Sequence, residues 1–115
     1  MDTVLVVELV KGRITPWPRL ETDDHIISTG SARPLEDAFR IAHGDLTMWL
    51  VEEFGLDKLD AYQLLSQVSE VPLANVVDAN YSVVVKVAKA LLPPADAFDG
   101  MHADLRARAG SLGTT

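Results

Sequence analysis

The sequence predicts an α+β fold, because strand-like and helix-like segments occupy separate blocks of the chain. Apolar, β-branched runs cluster before residue 31, two stretches of helical periodicity adjoin between residues 35 and 70, and the strongest strand signal, YSVVVKV at 81–87, follows them. Segregated blocks of this kind argue against an alternating, doubly wound sheet. The expected architecture is three N-terminal strands, an antiparallel helical hairpin and a C-terminal strand completing a small sheet, with a flexible C-terminal tail. With 115 residues the chain is one small domain over 1–92 plus a tail over 93–115, partly disordered or weakly helical. A domain of this size buries roughly two-thirds of its unfolded surface.

The first strand is expected over residues 3–10, where VLVVELV is apolar and β-branched and Lys11-Gly12 supplies a turn. Residues 13–20 hold Pro16 and Pro18 around Trp17, so they suit an edge strand or extended connector rather than a central ladder. The polar turn at 21–24 leads to a third strand at 25–29 (HIIST), stopped by Gly30. Pro34 suits the first turn of a helix, and Glu36 and Asp37 meet the positive end of its dipole. Leu35, Ala38, Phe39, Ala42, Leu46, Trp49 and Leu50 fall at i, i+3, i+4 spacing, which carries the helix to about Phe54 before Gly55. Gly44 interrupts it at about 1 kcal/mol relative to Ala, a cost usually accepted for close packing against a neighbour. Asp57 is a plausible N-cap for a second helix to about Glu70, stopped by Pro72. The short link between the helices makes them an antiparallel hairpin. Residues 73–77 are a further apolar stretch, Asp78-Ala79-Asn80 has turn chemistry, and beyond Pro93-Pro94 residues 103–109 could form two weak helical turns before a frayed end at 110–115.

Composition excludes several classes of function. Hydrophobic residues at 48% and charged residues at 23% are those of a globular chain rather than a disordered one. The absence of cysteine removes disulfides, thiolate nucleophiles, iron–sulfur clusters and Cys-based zinc sites, leaving His and carboxylate metal chemistry. Net charge is −7, and residues 21–80 carry twelve acids against three bases. Such a surface repels phosphate backbones and anionic lipid, so neither nucleic acid nor membrane is an expected partner. No apolar run reaches 18 residues, and Asp2 and Glu8 stand where a signal peptide needs a basic start, so the expected compartment is the cytoplasm.

His25 stands beside Asp23 and Asp24, with Glu21 close behind, offering an imidazole and three carboxylates to a divalent metal or to acid–base chemistry. No HxH or HExxH spacing accompanies them, and an acidic turn with a solvated His is the plainer reading. Asp78 and Asn80 form a second candidate pair at a turn between apolar segments, against ordinary Asx-turn bonding. Thr29-Gly30-Ser31 precedes a helix start, where backbone N–H groups can meet an oxyanion, although the sequence is no P-loop and ordinary helix entry explains it as well. His43 suits a surface or interface position, His102 lies in the tail, and Glu52-Glu53 is most simply a solvated helix face. No GxSxG elbow occurs.

A more specific signal comes from five segments in order: Thr29-Gly30-Ser31-Ala32; Leu35-Glu36-Asp37-Ala38; residues 49–56 (WLVEEFGL); Ala61-Tyr62-x-Leu64-Leu65-Ser66; and Val76-Val77-Asp78-x-Asn80. Together with Pro-Arg-Leu-Glu-Thr at 18–22 they resemble the C-terminal part of the acetamidase/formamidase family over about residues 19–92. The resemblance implies hydrolysis of formamide, acetamide or similar linear amides to a carboxylate and ammonia, by an oligomeric cytoplasmic enzyme built on a β-rich sandwich. Family members are several times larger, and their N-terminal and central regions, where metal and substrate ligands are expected, have no counterpart here. Any divalent metal would then be held by those absent regions, and the cofactor stays unassigned. Val71-Pro72-Leu73 departs from the helical continuation expected after AYxLLS.

For such chemistry His25, with Asp23 or Asp78, is the candidate for proton transfer, and Thr29, Gly30, Ser31 and Asn80 are the candidates for binding the substrate amide. The expected partner is an N-terminal amidase chain or another copy of this one. An alternative of a different class is a non-catalytic module that self-associates through its hairpin, because Trp17, Phe39, Trp49, Leu50, Val51 and Phe54 exceed what so small a domain easily buries.

Overall fold

The computed structural model describes residues 1–112 and is α+β. Strands β1 (Arg19–Glu21) and β2 (His25–Ala32) precede helices α1 (Leu35–Phe54) and α2 (Lys58–Val68); β3 (Leu73–Asn75), β4 (Tyr81–Ala88) and α3 (Met101–Leu112) follow. The sheet is antiparallel throughout, in the order β1-β2-β4-β3, with His25 opposite Ala88 and Ala32 opposite Tyr81.

Alternation decides which sheet face is covered. Ile26, Ser28 and Gly30 of β2 and Val83, Val85 and Val87 of β4 are buried, whereas the residues between them are only half-buried. Against that face α1 lays Ala38, Ala42, Asp45, Leu46 and Trp49, the helical stripe that burial of one face requires. Contact is closest at Gly30, where an added Cβ would lie 2.3 Å from the Ala38 carbonyl oxygen and 2.8 Å from the Ala42 nitrogen. The expected close packing at Gly44 is not found: a Cβ there would meet nothing within 4 Å. Helix–sheet proximity is achieved by the glycine of the strand, not that of the helix.

Gly55 ends α1 in the left-handed conformation, φ 69°, which a residue without Cβ adopts cheaply. Asp57 caps α2 by accepting from the Leu59 N–H at 2.9 Å. His43, early in α1, lies 3.3 Å from Ser69, just past α2, so the two helices run antiparallel as expected.

Three segments depart from the sequence reading. Residues 3–10 form no strand; none of their backbone joins a ladder, and their apolar side chains are exposed. β-Propensity alone does not make a strand without a neighbouring edge to pair with. The strand at 25–29 does not stop at Gly30 but runs to Ala32, because β4 offers partners along all eight residues. In the tail, where two weak helical turns were expected over 103–109, the helix is longer: Ala97 is buried, Phe98 packs on Trp49 with ring centroids 5.3 Å apart, and α3 runs through Gly110 to Leu112. Residues 113–115 lie outside the described residues. Of the aromatic and aliphatic excess expected to form a patch, Trp49, Leu50 and Phe54 are buried and Phe39 is exposed.

Candidate functional site

His25 begins β2 on the sheet face away from the helices, held there by the Thr22 hydroxyl, which accepts from the His25 N–H at 2.9 Å. Its Nε2 lies 3.7 Å from Glu70, whose other carboxylate oxygen is 3.4 Å from Lys86 Nζ. The bridge between Glu70 and Lys86 fixes this geometry, so an imidazole, a carboxylate and an ammonium share one partly open corner. Asp23 turns elsewhere. It accepts from His102 at 2.9 Å and pairs with Arg106 at 3.2 Å, and these contacts hold its carboxyl below the usual range, the His102 hydrogen bond first and the Arg106 charge second.

The remaining expected site residues lie apart from this corner. Asp78, at φ 71°, and Asn80 sit in the exposed turn before β4, near the end of the sheet where Tyr81 faces Ala32. At about 3.3 Å per residue, the eight-residue strands separate that turn from His25 by about 20 Å. Thr29, Gly30 and Ser31 are in β2: the Thr29 N–H donates to the Pro18 carbonyl at 3.1 Å, Gly30 faces α1, and Ser31 accepts from the Ser82 hydroxyl at 3.3 Å. His25 and Glu70 are thus brought together, and His25, Asp23 and Asp78 are not. Among the described residues no group of three His, Asp or Glu side chains is arranged to hold a metal.

Two polar features were not anticipated. Asp45, on the buried stripe of α1, receives both Arg19 Nε and Nη2 at 2.9 Å and the Ser28 hydroxyl at 2.5 Å, while Arg19 stacks over Trp49 at 5.1 Å. The Arg19 and Asp45 side chains are 6% and 3% exposed, so this is a buried, fork-to-fork ion pair. It forms part of the wall of a cavity of about 390 Å³ shared with Ile14, Trp17 and Met48. The signal was present in the sequence as a carboxylate on an otherwise apolar helical stripe. Glu53, expected on a solvated face with Glu52, instead takes the Trp49 indole N–H, Arg13 at 2.9 Å and the Phe98 N–H at 3.4 Å. Glu52 is exposed as expected.

Between α1 and α2 runs a groove of about 930 Å³, lined by Phe39, His43, Met48, Leu59 and Tyr62 among others. His43 stacks on Phe39 at 4.2 Å and its Nδ1 is buried without a well-formed hydrogen bond. Burial pushes its pKa down, opposed by the backbone of Phe39, so the ring is held neutral below its ordinary range.

Neither a protein-family model nor a curated protein sequence matches the chain. Solved structures do. An acetamidase from Yersinia enterocolitica is 51% identical over 71% of this chain, with a TM-score of 0.69. An acetamidase from Bacillus halodurans is 27% identical over 68% of it, with a TM-score of 0.62. The chain spans only 25% and 26% of the length of these two proteins. Shared fold and half-identical sequence agree with the five ordered segments: the structural neighbours of this chain are acetamidases, of which it matches about a quarter, consistent with a C-terminal portion of the acetamidase/formamidase family.

Proposed function

We propose that this chain is one part of an amidohydrolase that cleaves the C–N bond of short linear amides such as formamide or acetamide. The observation that carries the reading is 51% identity to an acetamidase over 71% of the chain. In such a reaction water adds through oxygen to the carbonyl carbon, the C–N bond breaks, the nitrogen leaves with a proton as ammonia, and the carbonyl becomes a carboxylate. His25 is the side chain proposed to carry the proton, and Glu70 at 3.7 Å, rather than Asp23 or Asp78, is the carboxylate near enough to steady the imidazolium. Thr29 and Ser31, on the same sheet face as His25, are the proposed substrate contacts; Gly30 serves by admitting α1, and Asn80 belongs to the opposite end of the sheet.

Ammonia release from formamide and acetamide tests the reading, measured for the chain alone and for any complex that copurifies with it. Release by the complex, reduced at least tenfold by His25→Ala, is the expected result. No release from any assembly overturns the amidase reading, and release unchanged by His25→Ala overturns the role of His25. A second reading, a non-catalytic interaction module, is supported by the open apolar groove between α1 and α2.

A further inference from the structure

Arg19 takes no part in the chemistry proposed at His25, yet it is held with unusual care. Its side chain is 6% exposed, and only part of its hydrogen-bonding capacity is met. A guanidinium carries five N–H donors in a rigid plane. Asp45 takes the Nε hydrogen and one Nη2 hydrogen, both at 2.9 Å, along one side of that plane. The second Nη2 hydrogen and both Nη1 hydrogens have no protein acceptor among the described residues. His43 Nδ1 is the one buried side-chain N or O without a partner among those residues, so Arg19 Nη1, which has none either, keeps an opening to solvent.

The space onto which Arg19 opens is the cavity of about 390 Å³ between α1 and the chain before β1, within the size range of ligand sites. Arg19 and Asp45 line it together with Ile14, Trp17 and Met48. Trp49 stacks under the guanidinium at 5.1 Å and Asp45 grips its side, so the free end is already fixed before any ligand arrives. Gly44 borders the same space. A Cβ there would meet nothing within 4 Å, so α1 carries its poorest non-proline helix former where a side chain would take up room in the cavity.

We propose that this cavity binds a short-chain monocarboxylate, whose two oxygens accept from the free Nη2 and Nη1 hydrogens of Arg19 and whose alkyl group lies against Ile14, Trp17 and Met48. Donor geometry selects the class. Two parallel N–H groups match two acceptor oxygens, whereas a carboxamide offers one acceptor and sets its own N–H2 against the second donor. On the cavity walls Arg19 and Arg40 balance Asp45 and Glu52, so the fork and the apolar wall, rather than net charge, supply the affinity. Arg40 is itself paired with Asp37 at 3.1 Å. Glu52, exposed and with no side-chain partner among the described residues, is the group that opposes an anion. The site is separate from His25: Arg19 lies opposite Ser28 and shares Asp45 with it on the helix-covered face of the sheet. Short carboxylates are what the proposed amidase reaction releases, and on that reading the cavity holds product; the binding itself rests on Arg19 alone.

Titration of the full chain with sodium butyrate at low ionic strength, followed through the Trp17 indole and Arg19 Nε–H resonances, tests this. Saturable shifts with a Kd on the order of millimolar are expected for so small a ligand. Butyramide, of the same size, should bind at least about tenfold more weakly. Arg19→Lys keeps a cation facing Asp45 but loses the fork, and should weaken butyrate binding at least about tenfold. Glu52→Gln should tighten it about two- to threefold by removing a like charge, which keeps the test decisive if Arg19→Lys fails to fold. No saturable shift overturns the proposal. So does butyramide binding as tightly as butyrate, or butyrate affinity unchanged by Glu52→Gln. His25→Ala should leave the affinity as it is, and loss of binding there would put the ligand on the other face of the sheet and overturn the assignment. Ammonia release is read in none of these measurements, so the amidase reading and this one fail separately.

Discussion

Asp45 is the residue on which the interior most depends. Its carboxylate is the common acceptor for Arg19 and Ser28, and both charges are removed from water. Removing one member leaves the other buried and uncompensated, so Asp45→Ala is expected to cost about 3–5 kcal/mol in denaturant unfolding. Replacing the pair together, Arg19→Met with Asp45→Leu, should cost less than the single change, because no orphaned charge remains. Equal losses from the single and the double variant would show that packing rather than charge sets the effect. Asp23 is a contrasting exposed case. Its folded-state pKa lies below the ordinary 3.8, so its contribution is complete above that value and is lost as pH falls through the lower one. Because its partners are His102 and Arg106, acidification below about pH 4 should release α3 before the sheet opens. Amide exchange should show early loss of protection confined to residues 101–112, and Asp23→Asn should reproduce it at neutral pH.

For the elements, the informative contrast is between two glycines. Gly30 admits α1 to the sheet, and a methyl group there would collide with backbone atoms that cannot move without shifting the helix. Gly30→Ala should destabilise by about 1–3 kcal/mol or more. At Gly44 there is open space inside a helix, so Gly44→Ala should stabilise by up to about 1 kcal/mol. Thermal unfolding of both variants checks the sign of each. The sequence showed the helices and β4 clearly because their periodicity, capping and β-branching agree with one another: Asp57 caps and Gly55 terminates where local chemistry says they should. It did not show which glycine mattered, since close approach depends on which strand a helix crosses. It mistook residues 3–10 for a strand because propensity was read without an available edge.

At the scale of the whole molecule, the sheet is clothed on one side and half-open on the other, and one of its edges is bare. The chain spans a quarter of the length of the acetamidases it matches. The likeness to acetamidases could be read from ordered segments because they lie on local hairpin and turn chemistry. Pairing of site residues could not, since Glu70 reaches His25 only through the sheet, 45 positions away, whereas Asp23 is a near neighbour in sequence and turns to α3 instead.

Glu53 joins parts of the chain that are distant in sequence. One carboxylate holds Arg13 from the N-terminal arm, Trp49 from α1 and the backbone of Phe98 from the C-terminal extension. Both extremities are therefore moored at a single post, and slackening one line slackens the other. A protease that nicks the arm between Arg13 and Arg19 would release Arg13's hold on that carboxylate and raise the cleavage rate near Phe98, some eighty residues away.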